Sequence, residues 1–142
     1  MKSGKPHNSL NGLLVEISKI RRNKSNELLS GTGVHAGQDI LLYYLDMEDG
    51  QTVSALVEKM GIQQGTIAAM IERMVNAGMI TKKKDAADKR ISRVFITKKG
   101  KAAHQQVTET WRKMESITAK GLSPIEQAQL ITLLEKVRDN LS

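Results

Sequence analysis

The chain has 142 residues and a net charge of +7, and its 39% hydrophobic and 26% charged residues are typical of one soluble globular domain. It contains no cysteine, which excludes disulfides, thiol redox sensing and thiolate metal sites. The longest strongly apolar run, residues 40–45, is far shorter than the roughly 18 residues of a membrane span, and residues 1–10 include no apolar stretch of a secretory signal. These features predict a cytoplasmic protein without a membrane partner.

Two helices are predicted in the first third of the chain. Apolar residues at intervals of three and four indicate an amphipathic helix over residues 9–29, which Gly31 ends. A second helix, rich in leucine and tyrosine, is predicted over residues 36–47. The dipeptide Asp49-Gly50 is a turn signal that ends this second helix.

A short third helix and a longer fourth helix follow, separated by a glycine. Thr52 is placed to cap the third helix, and Gly61 interrupts the helical pattern. The fourth helix is predicted over residues 63–77, and Gly78 is expected to close it in the left-handed conformation. The apolar face of the fourth helix is expected to comprise Ile67, Met70, Ile71, Met74 and Val75.

The apolar period changes after Gly78. Residues 79–81 and 92–97 are predicted to be short strands, and the polar stretch between them is predicted to be a hairpin loop. The helical period returns at Lys98 and indicates a long fifth helix. The pattern is that of a hairpin inserted between helices.

A sixth helix has a well-marked start. Ser123 is the expected N-cap, Pro124 the first helical residue, and Glu126 the partner that closes a capping box. No repeat or linker interrupts the chain. We therefore predict a mainly α fold with a small β-hairpin. Residues 1–142 are expected to form a single domain.

The excess charge is concentrated in one segment. Residues 81–101 contain nine basic and two acidic residues, which accounts for the whole net charge of +7. Such a cluster is typical of proteins that bind polyanions. A solvated surface loop is the alternative that charge alone leaves open.

Residues 52–77 have the order helix, glycine turn, helix. Such a turn lets the first helix brace the second, whose free face can enter the major groove of DNA. On this face Gln64 can hydrogen-bond adenine, and Ala68 or Ala69 can contact a thymine methyl group. Arg73 can reach a phosphate. An ordinary pair of packed helices is the alternative explanation.

The hairpin directly after these helices completes the order of a winged helix-turn-helix, and the tip of such a wing can enter a neighbouring minor groove. Residues 85–100, with the sequence DAADKRISRVFITKKG, resemble the wing signature of the MarR family of bacterial transcription regulators. That signature runs Asp-Pro-x-Asp-Arg-Arg, three residues, Val-x-Leu-Thr, two residues, Gly. Residues 52–80 also resemble the recognition segment of this family.

The resemblance implies a homodimer that binds double-stranded DNA at a near-palindromic operator. The winged helix-turn-helix lobe would occupy about residues 36–101, and the dimerisation helices about residues 9–30 and 102–142. By the same resemblance, Arg90 is the wing-tip residue for the minor groove and Asp88 is the acid that orients it. The predicted DNA-binding residues are Gln63, Gln64, Thr66, Ala68, Ala69, Arg73, Lys82, Asp88, Lys89, Arg90 and Arg93.

Among the departures from the pattern of the family, three concern the wing turn and the fourth helix. Ala86 replaces the proline of the wing, which leaves the wing less rigid. Lys89 replaces an arginine and offers a point charge in place of a planar fork. Ala69 is shorter than the polar residue of many relatives, so we expect DNA shape to contribute more than direct base contacts.

The resemblance also implies a binding site for a small amphipathic effector. Family members bind such effectors between the dimer helices and the DNA-binding lobe. The candidate pocket residues are His35, Gln38, Asp39, Tyr43 and Trp111, and a packing role is the alternative for each. The three histidines, His7, His35 and His104, lack the spacing of metal ligands. No metal site and no cofactor are predicted.

Other classes of function fit the sequence less well. No arrangement of nucleophile and base supports an enzyme. Aromatic residues make up 3% of the chain, too few for a typical single-stranded RNA binder. The predicted function is therefore a homodimeric, sequence-specific DNA-binding repressor that a small effector releases. A DNA-binding dimer controlled by a partner protein or by its abundance is the alternative.

Overall fold

The computed structural model describes residues 8–142, which form six helices and three strands. In chain order these are α1 (Leu10–Leu29), α2 (Gln38–Met47), β1 (Gln51–Thr52), α3 (Val53–Met60), α4 (Gln64–Asn76), β2 (Ile80–Lys84), β3 (Ser92–Ile96), α5 (Lys98–Thr118) and α6 (Pro124–Leu141). The chain divides into two compact units, of which one ends at Thr110 and the other comprises Trp111–Ser142. The mainly helical fold with a small antiparallel sheet confirms the predicted fold class.

Side-chain caps define two of the helix starts. The Thr52 hydroxyl oxygen accepts a hydrogen bond from the Ala55 amide at 3.1 Å and so caps α3, which Gly61 ends with a φ of 64°. At α6 the Glu126 amide donates to Ser123 Oγ at 3.1 Å, and the Ser123 amide donates to Glu126 Oε1 at 2.9 Å. The predicted caps and the predicted capping box are therefore confirmed.

The end of α4 is fixed by a left-handed glycine. Gly78 has a φ of 77°, and its amide donates to the Val75 carbonyl at 2.9 Å. The next amide, that of Met79, donates to the Met74 carbonyl at 3.0 Å, and both methionine side chains are buried. This pair of hydrogen bonds is the Schellman motif. The predicted role of Gly78 is confirmed.

The sheet has one strand more than the predicted hairpin. Its order is β1-β3-β2, and both pairings are antiparallel. β1 is only two residues long, so no alternating pattern could reveal it. It is held by the buried Gln51, whose Nε2 donates to the carbonyl oxygens of Tyr44 at 2.7 Å and Glu48 at 2.9 Å.

Three further details of the predicted elements were wrong. α2 begins at Gln38, later than predicted, because Gly37 has a φ of 97°, which is outside the helical range. β2 extends to Lys84, since its pairing with β3 continues from Ile80 opposite Ile96 to Lys84 opposite Ser92. Val75, which was assigned to the buried face of α4, is 37% exposed.

The core of the first unit holds α4 against the sheet and the helices before it. The contributing side chains that are entirely buried include Leu41, Leu42, Leu45, Leu56, Ile67, Met74 and Val94. Because α4 contributes only one face to this core, its opposite face stays in solvent. Within residues 8–142, no helix has both the length and the apolar character needed to cross a bilayer.

Gly100, in the first turn of α5, is buried where α5 meets the start of the wing. A β-carbon at this position would collide with the carbonyl oxygen of Met79 and would lie 2.8 Å from Ile96 Cγ1. Neither neighbour can move away easily, since one is backbone and the other belongs to the core. The glycine at this position of the wing signature therefore has a steric explanation.

We expect Gly100→Ala to lower the free energy of unfolding by about 1–3 kcal/mol, the usual cost of overpacking. Gly65→Ala is the matched control, because Gly65 is also helical but has no atom within 4 Å of an added β-carbon. This control should raise the stability by about 0.5 kcal/mol through helix propensity. Urea unfolding at one fixed protein concentration measures both changes. Equal midpoints for the two variants would contradict the steric explanation.

Candidate nucleic-acid interface

The outer face of α4 is exposed along its whole length. The buried residues Ile67, Met70, Ile71 and Met74 occupy one side of this helix. The exposed side carries Gln64, Gly65, Thr66, Ala68, Ala69, Glu72, Arg73 and Asn76. Gln63, also exposed, precedes the helix and makes no side-chain cap. The positive end of the helix dipole therefore lies at an end of α4 that no side chain caps.

The turn of the wing is held by the carboxylate of Asp85. Its Oδ2 accepts hydrogen bonds from the amides of Ala87 at 3.1 Å and Asp88 at 2.9 Å. The Asp85 amide donates to the Ile91 carbonyl at 2.8 Å, and the Ile91 amide donates to the Asp88 carbonyl at 3.0 Å. These bonds define the turn although Ala86 stands where the family signature has proline.

Arg90 is held in one orientation at the tip of the wing. Its Nε donates to Asp88 Oδ1 at 3.0 Å and its Nη2 donates to Asp88 Oδ2 at 2.9 Å, which is a bidentate pair. The Arg90 amide also donates to Asp88 Oδ1, at 3.0 Å. These hydrogen bonds lower the pKa of Asp88 and raise the pKa of Arg90, so both groups are charged at neutral pH. The Arg90 side chain is 90% exposed, and its guanidinium therefore remains accessible to a ligand.

Residues of α4 and of the wing line a common hollow of about 230 Å³. Four of the predicted DNA-binding residues line it, namely Gln64, Ala68, Lys82 and Arg90. Its wall also includes Thr52, Val53 and Ser54, at the start of α3, which sequence reasoning missed as site residues. The Thr52 cap was recognised in the sequence, but only the fold shows that this helix start adjoins the wing.

The structure places the other predicted DNA-binding residues around this hollow or on the same faces. Ala69 lines a second hollow of about 420 Å³, together with Ala68, Glu72, Val75 and Lys82. Gln63, Thr66 and Arg73 are exposed at α4, and Lys89 is exposed on the wing turn. Their contacts with DNA stay predictions.

The comparisons with known proteins agree with this arrangement. Residues 38–92, which extend from α2 to the first residue of β3, match the sequence model of the MarR family. The chain is therefore similar to MarR-family regulators over its helix-turn-helix and the first strand and turn of its wing. It is 26% identical over 135 residues to the uncharacterized HTH-type transcriptional regulator YybA of Bacillus subtilis (strain 168), an alignment that covers 93% of this chain and 90% of YybA.

Solved structures of MarR-family regulators have the same fold. A mutant MarR from E. coli complexed with operator DNA superposes with a TM-score of 0.83 at 26% identity, covering 90% of this chain and 92% of that one. The PcaV regulator of Streptomyces coelicolor in complex with its natural ligand gives a TM-score of 0.85 over 100% of both chains, at 22% identity, which is a likeness of fold alone. The predicted resemblance to the MarR family is confirmed, and the relatives named here are transcriptional regulators.

Arg93 of the MarR signature makes contacts that sequence reasoning did not foresee. Its Nε donates to Asp85 Oδ1 at 2.6 Å, and its Nη1 donates to the Gly50 carbonyl at 2.9 Å. The hydrogen bond from Arg93 is the main reason that the pKa of Asp85 is lowered. Arg93 thus joins the wing turn to the turn before β1. Its predicted contact with DNA is untested, but its observed contacts anchor the wing.

The candidate effector residues have different surroundings. His35 lines a hollow of about 550 Å³ between the end of α1 and the start of α2. Gln38 and Asp39 are buried, and each accepts a hydrogen bond from a nearby backbone amide, that of His35 at 3.1 Å and that of Gly37 at 2.9 Å. Tyr43 is 39% exposed and makes an edge-to-face contact with Tyr44, with ring centres 5.4 Å apart. Trp111 belongs to the second unit.

Metal-binding residues do not cluster in the described part of the chain. Among residues 8–142, no three His, Cys, Asp or Glu side chains are grouped as a metal site requires. Of the three histidines considered as ligands, His7 lies outside the described residues.

Proposed function

We propose that the protein is a homodimeric repressor that binds a near-palindromic operator, with α4 in the major groove and Arg90 in the adjoining minor groove of each half-site. The observation that supports this mode best is the oriented, 90% exposed Arg90, which lines one hollow together with Gln64 and Ala68 of α4. A helix and a wing that flank a single hollow can span two neighbouring grooves of one duplex.

The two elements have different roles in this proposal. Gln63, Gln64 and Thr66 are placed near the start of α4, the end that reads bases in helix-turn-helix proteins. Ala68 and Ala69 offer small apolar surfaces to thymine methyl groups. Arg73, Lys82 and Lys89 supply contacts to phosphates, which position the protein without reading sequence. Arg90 reads the narrow minor groove of A·T-rich DNA.

Two helices outside the winged lobe expose apolar surface that a monomer would leave in water. In α1, five large apolar residues are between 47% and 67% exposed, namely Leu10, Leu13, Val15, Ile17 and Ile20. None of the 18 residues that form α6 is buried, and Ile131 and Leu134, three positions apart on one side of this helix, are 56% and 41% exposed. Apolar stripes of this kind mark interaction surfaces. A second copy of the chain is the occupant that the operator symmetry requires.

We expect the wild-type chain to sediment as a dimer at micromolar concentration. The double variant Ile131→Glu/Leu134→Glu places two charges on the apolar stripe of α6. It should be a folded monomer that binds the operator weakly, because charge on this surface opposes burial. Gln129→Glu, which adds a charge at a polar position of the same helix, is the control and should remain dimeric. Sedimentation equilibrium together with circular dichroism measures both properties. A monomeric wild-type chain would contradict the dimer.

Substitutions in the wing should separate groove recognition from simple charge. We expect Arg90→Ala to weaken operator binding roughly ten- to hundredfold, mostly at A·T-rich flanks. Asp88→Ala makes the protein more basic, so a purely electrostatic wing would bind more tightly. If Asp88 orients Arg90, this variant binds the operator more weakly instead. Affinities for a selected operator and for random DNA at two salt concentrations measure the effects.

Lys84→Ala is the control for the wing series, because it removes one charge from β2 outside the Asp88–Arg90 pair. It should weaken binding to all sequences equally and reduce the salt slope by about one. Tighter operator binding by Asp88→Ala would leave the wing as a phosphate clamp without an orienting role for Asp88.

A small effector that releases the DNA is the second part of the proposal. The hollow beside His35 has a volume of about 550 Å³, within the range of small-molecule pockets. Its wall combines apolar Leu29 and Val34 with polar Asn26 and Ser30, which suits an amphipathic ligand. The PcaV structure, which has the same fold, contains a natural ligand.

A thermal-shift screen of small amphipathic compounds tests this second part. A compound that binds only the folded protein at about 100 times its dissociation constant adds about 2.7 kcal/mol, which raises the melting temperature by several degrees. The shift should disappear in His35→Ala, and the same compound should weaken operator binding by the wild-type chain. If no compound shifts the melting temperature, control by a partner protein or by abundance becomes the better explanation.

A further inference from the structure

Thr97 connects the end of the reading helix α4 to the start of α5. Its hydroxyl donates to the Gly78 carbonyl at 2.6 Å and accepts from the Gly100 amide at 3.1 Å. Its backbone amide donates to the Met79 carbonyl at 3.0 Å. A hydroxyl has one hydrogen to donate, and here that hydrogen goes to the turn that closes α4 while the oxygen caps α5.

Neighbouring residues strengthen the same connection. Lys99 Nζ donates to the Ala77 carbonyl at 2.7 Å, at the end of α4 where the helix dipole favours a positive charge. Gly100 permits close contact between α5 and the Met79 carbonyl. We call residues 77–79 and 97–100 together the α4–α5 joint. Its hydrogen bonds and its close contact restrict the angle between the two helices.

This angle matters for a dimer on DNA. The part of α5 in the first unit, from Lys98 to Thr110, has 13 residues and is therefore about 20 Å long at 1.5 Å per residue. A change of about 10° at the joint would move the end of this part by about 3.4 Å, which is the rise of one base pair. Small changes at the joint are therefore comparable with a shift of one base pair in the DNA.

We infer that Thr97 is a positioning residue that sets the spacing between half-sites accepted by the protein. The inference rests on the proposed dimer, in which α5 leads from the winged lobe to the dimerisation helices. Thr97 itself does not need to touch DNA. Without its hydroxyl, α4 would sample a range of angles relative to α5, and the two reading helices of a dimer would fit several spacings.

The test compares spacing preferences rather than absolute affinities. Three operators carry the two half-sites that the wild-type chain selects. In one the half-sites are at the preferred spacing, and in the other two the spacing is one base pair shorter or one base pair longer. We expect the wild-type chain to bind the preferred spacing about tenfold more tightly, a penalty similar to that of one mismatched base pair. Thr97→Val, which removes the hydroxyl at constant size, should bind the three operators with nearly equal affinity. Thr97→Ser should restore the preference.

Two controls separate positioning from stability. Thr108→Val removes an α5 hydroxyl that bonds only within its own helix, to the His104 carbonyl at 3.0 Å, and it should keep the wild-type preference. If Thr97→Val does not fold, Lys99→Met takes its place. It should weaken the preference, whereas Lys98→Met, which removes the same charge from an exposed neighbouring residue, should not.

The outcomes are distinguishable. Thr97→Val could lose affinity equally at all three spacings and keep the preference. This result overturns the positioning role and leaves Thr97 with a role in stability alone. An unchanged profile overturns the role as well. If the wild-type chain dimerises but prefers no spacing, the inference that the α4–α5 joint sets the spacing is overturned. If the chain binds a lone half-site as a monomer, the proposed function itself is overturned.

Discussion

The wing depends on the carboxylate of Asp85. One of its oxygens accepts two backbone amides of the turn, and the other accepts the guanidinium of Arg93 at 2.6 Å. Arg93 in turn reaches the Gly50 carbonyl, so that a single carboxylate links the turn of the wing to the sheet edge at β1. The ionised form is the one that can accept all of these bonds, and they keep the pKa of Asp85 below its usual value. The Asp88–Arg90 pair is built upon this turn.

The two ion pairs of the wing differ in what they accomplish. The Asp85 side chain is 17% exposed, and its pair with Arg93 connects segments that are far apart in sequence. The Asp88–Arg90 pair lies within one tight turn and is far more exposed. Exposed pairs contribute little to stability, because water solvates both charges in the unfolded chain as well. The bidentate geometry of the second pair therefore has its main effect on the direction of the Arg90 guanidinium.

Local signals in the sequence were sufficient for most of the fold. Apolar periodicity located the helices, and Thr52, Gly78 and Ser123 marked their ends through hydrogen bonds to amides or a left-handed backbone. The missed features depend on distant contacts. β1 exists because its two residues pair with β3, which follows more than 40 positions later, and Val75 is 37% exposed where it lines a hollow beside Lys82 of β2.

In the candidate site, too, local sequence signals predicted some contacts and missed those between residues distant in the chain. The acid and the arginine of the wing tip are two positions apart, so the motif itself suggested their pairing, and the structure shows the bidentate contact. Arg93 was included among the predicted DNA-binding residues and is one of the bases of the basic segment. Composition cannot distinguish an arginine that faces a phosphate from one that is bound to Asp85 and to the Gly50 carbonyl. Only the fold brings that carbonyl within reach.

The outer face of α4 suggests where sequence selectivity would originate in the proposed complex. Gly65, Ala68 and Ala69 allow the helix to approach the bases closely but provide no polar side-chain groups for hydrogen bonds to base edges. Direct readout is then restricted to a few side chains, such as Gln64. Groove width, read by the oriented Arg90, and half-site spacing, fixed at the α4–α5 joint, depend on the backbone geometry of the duplex. A regulator of this design would recognise the shape and symmetry of its operator more strongly than any single base.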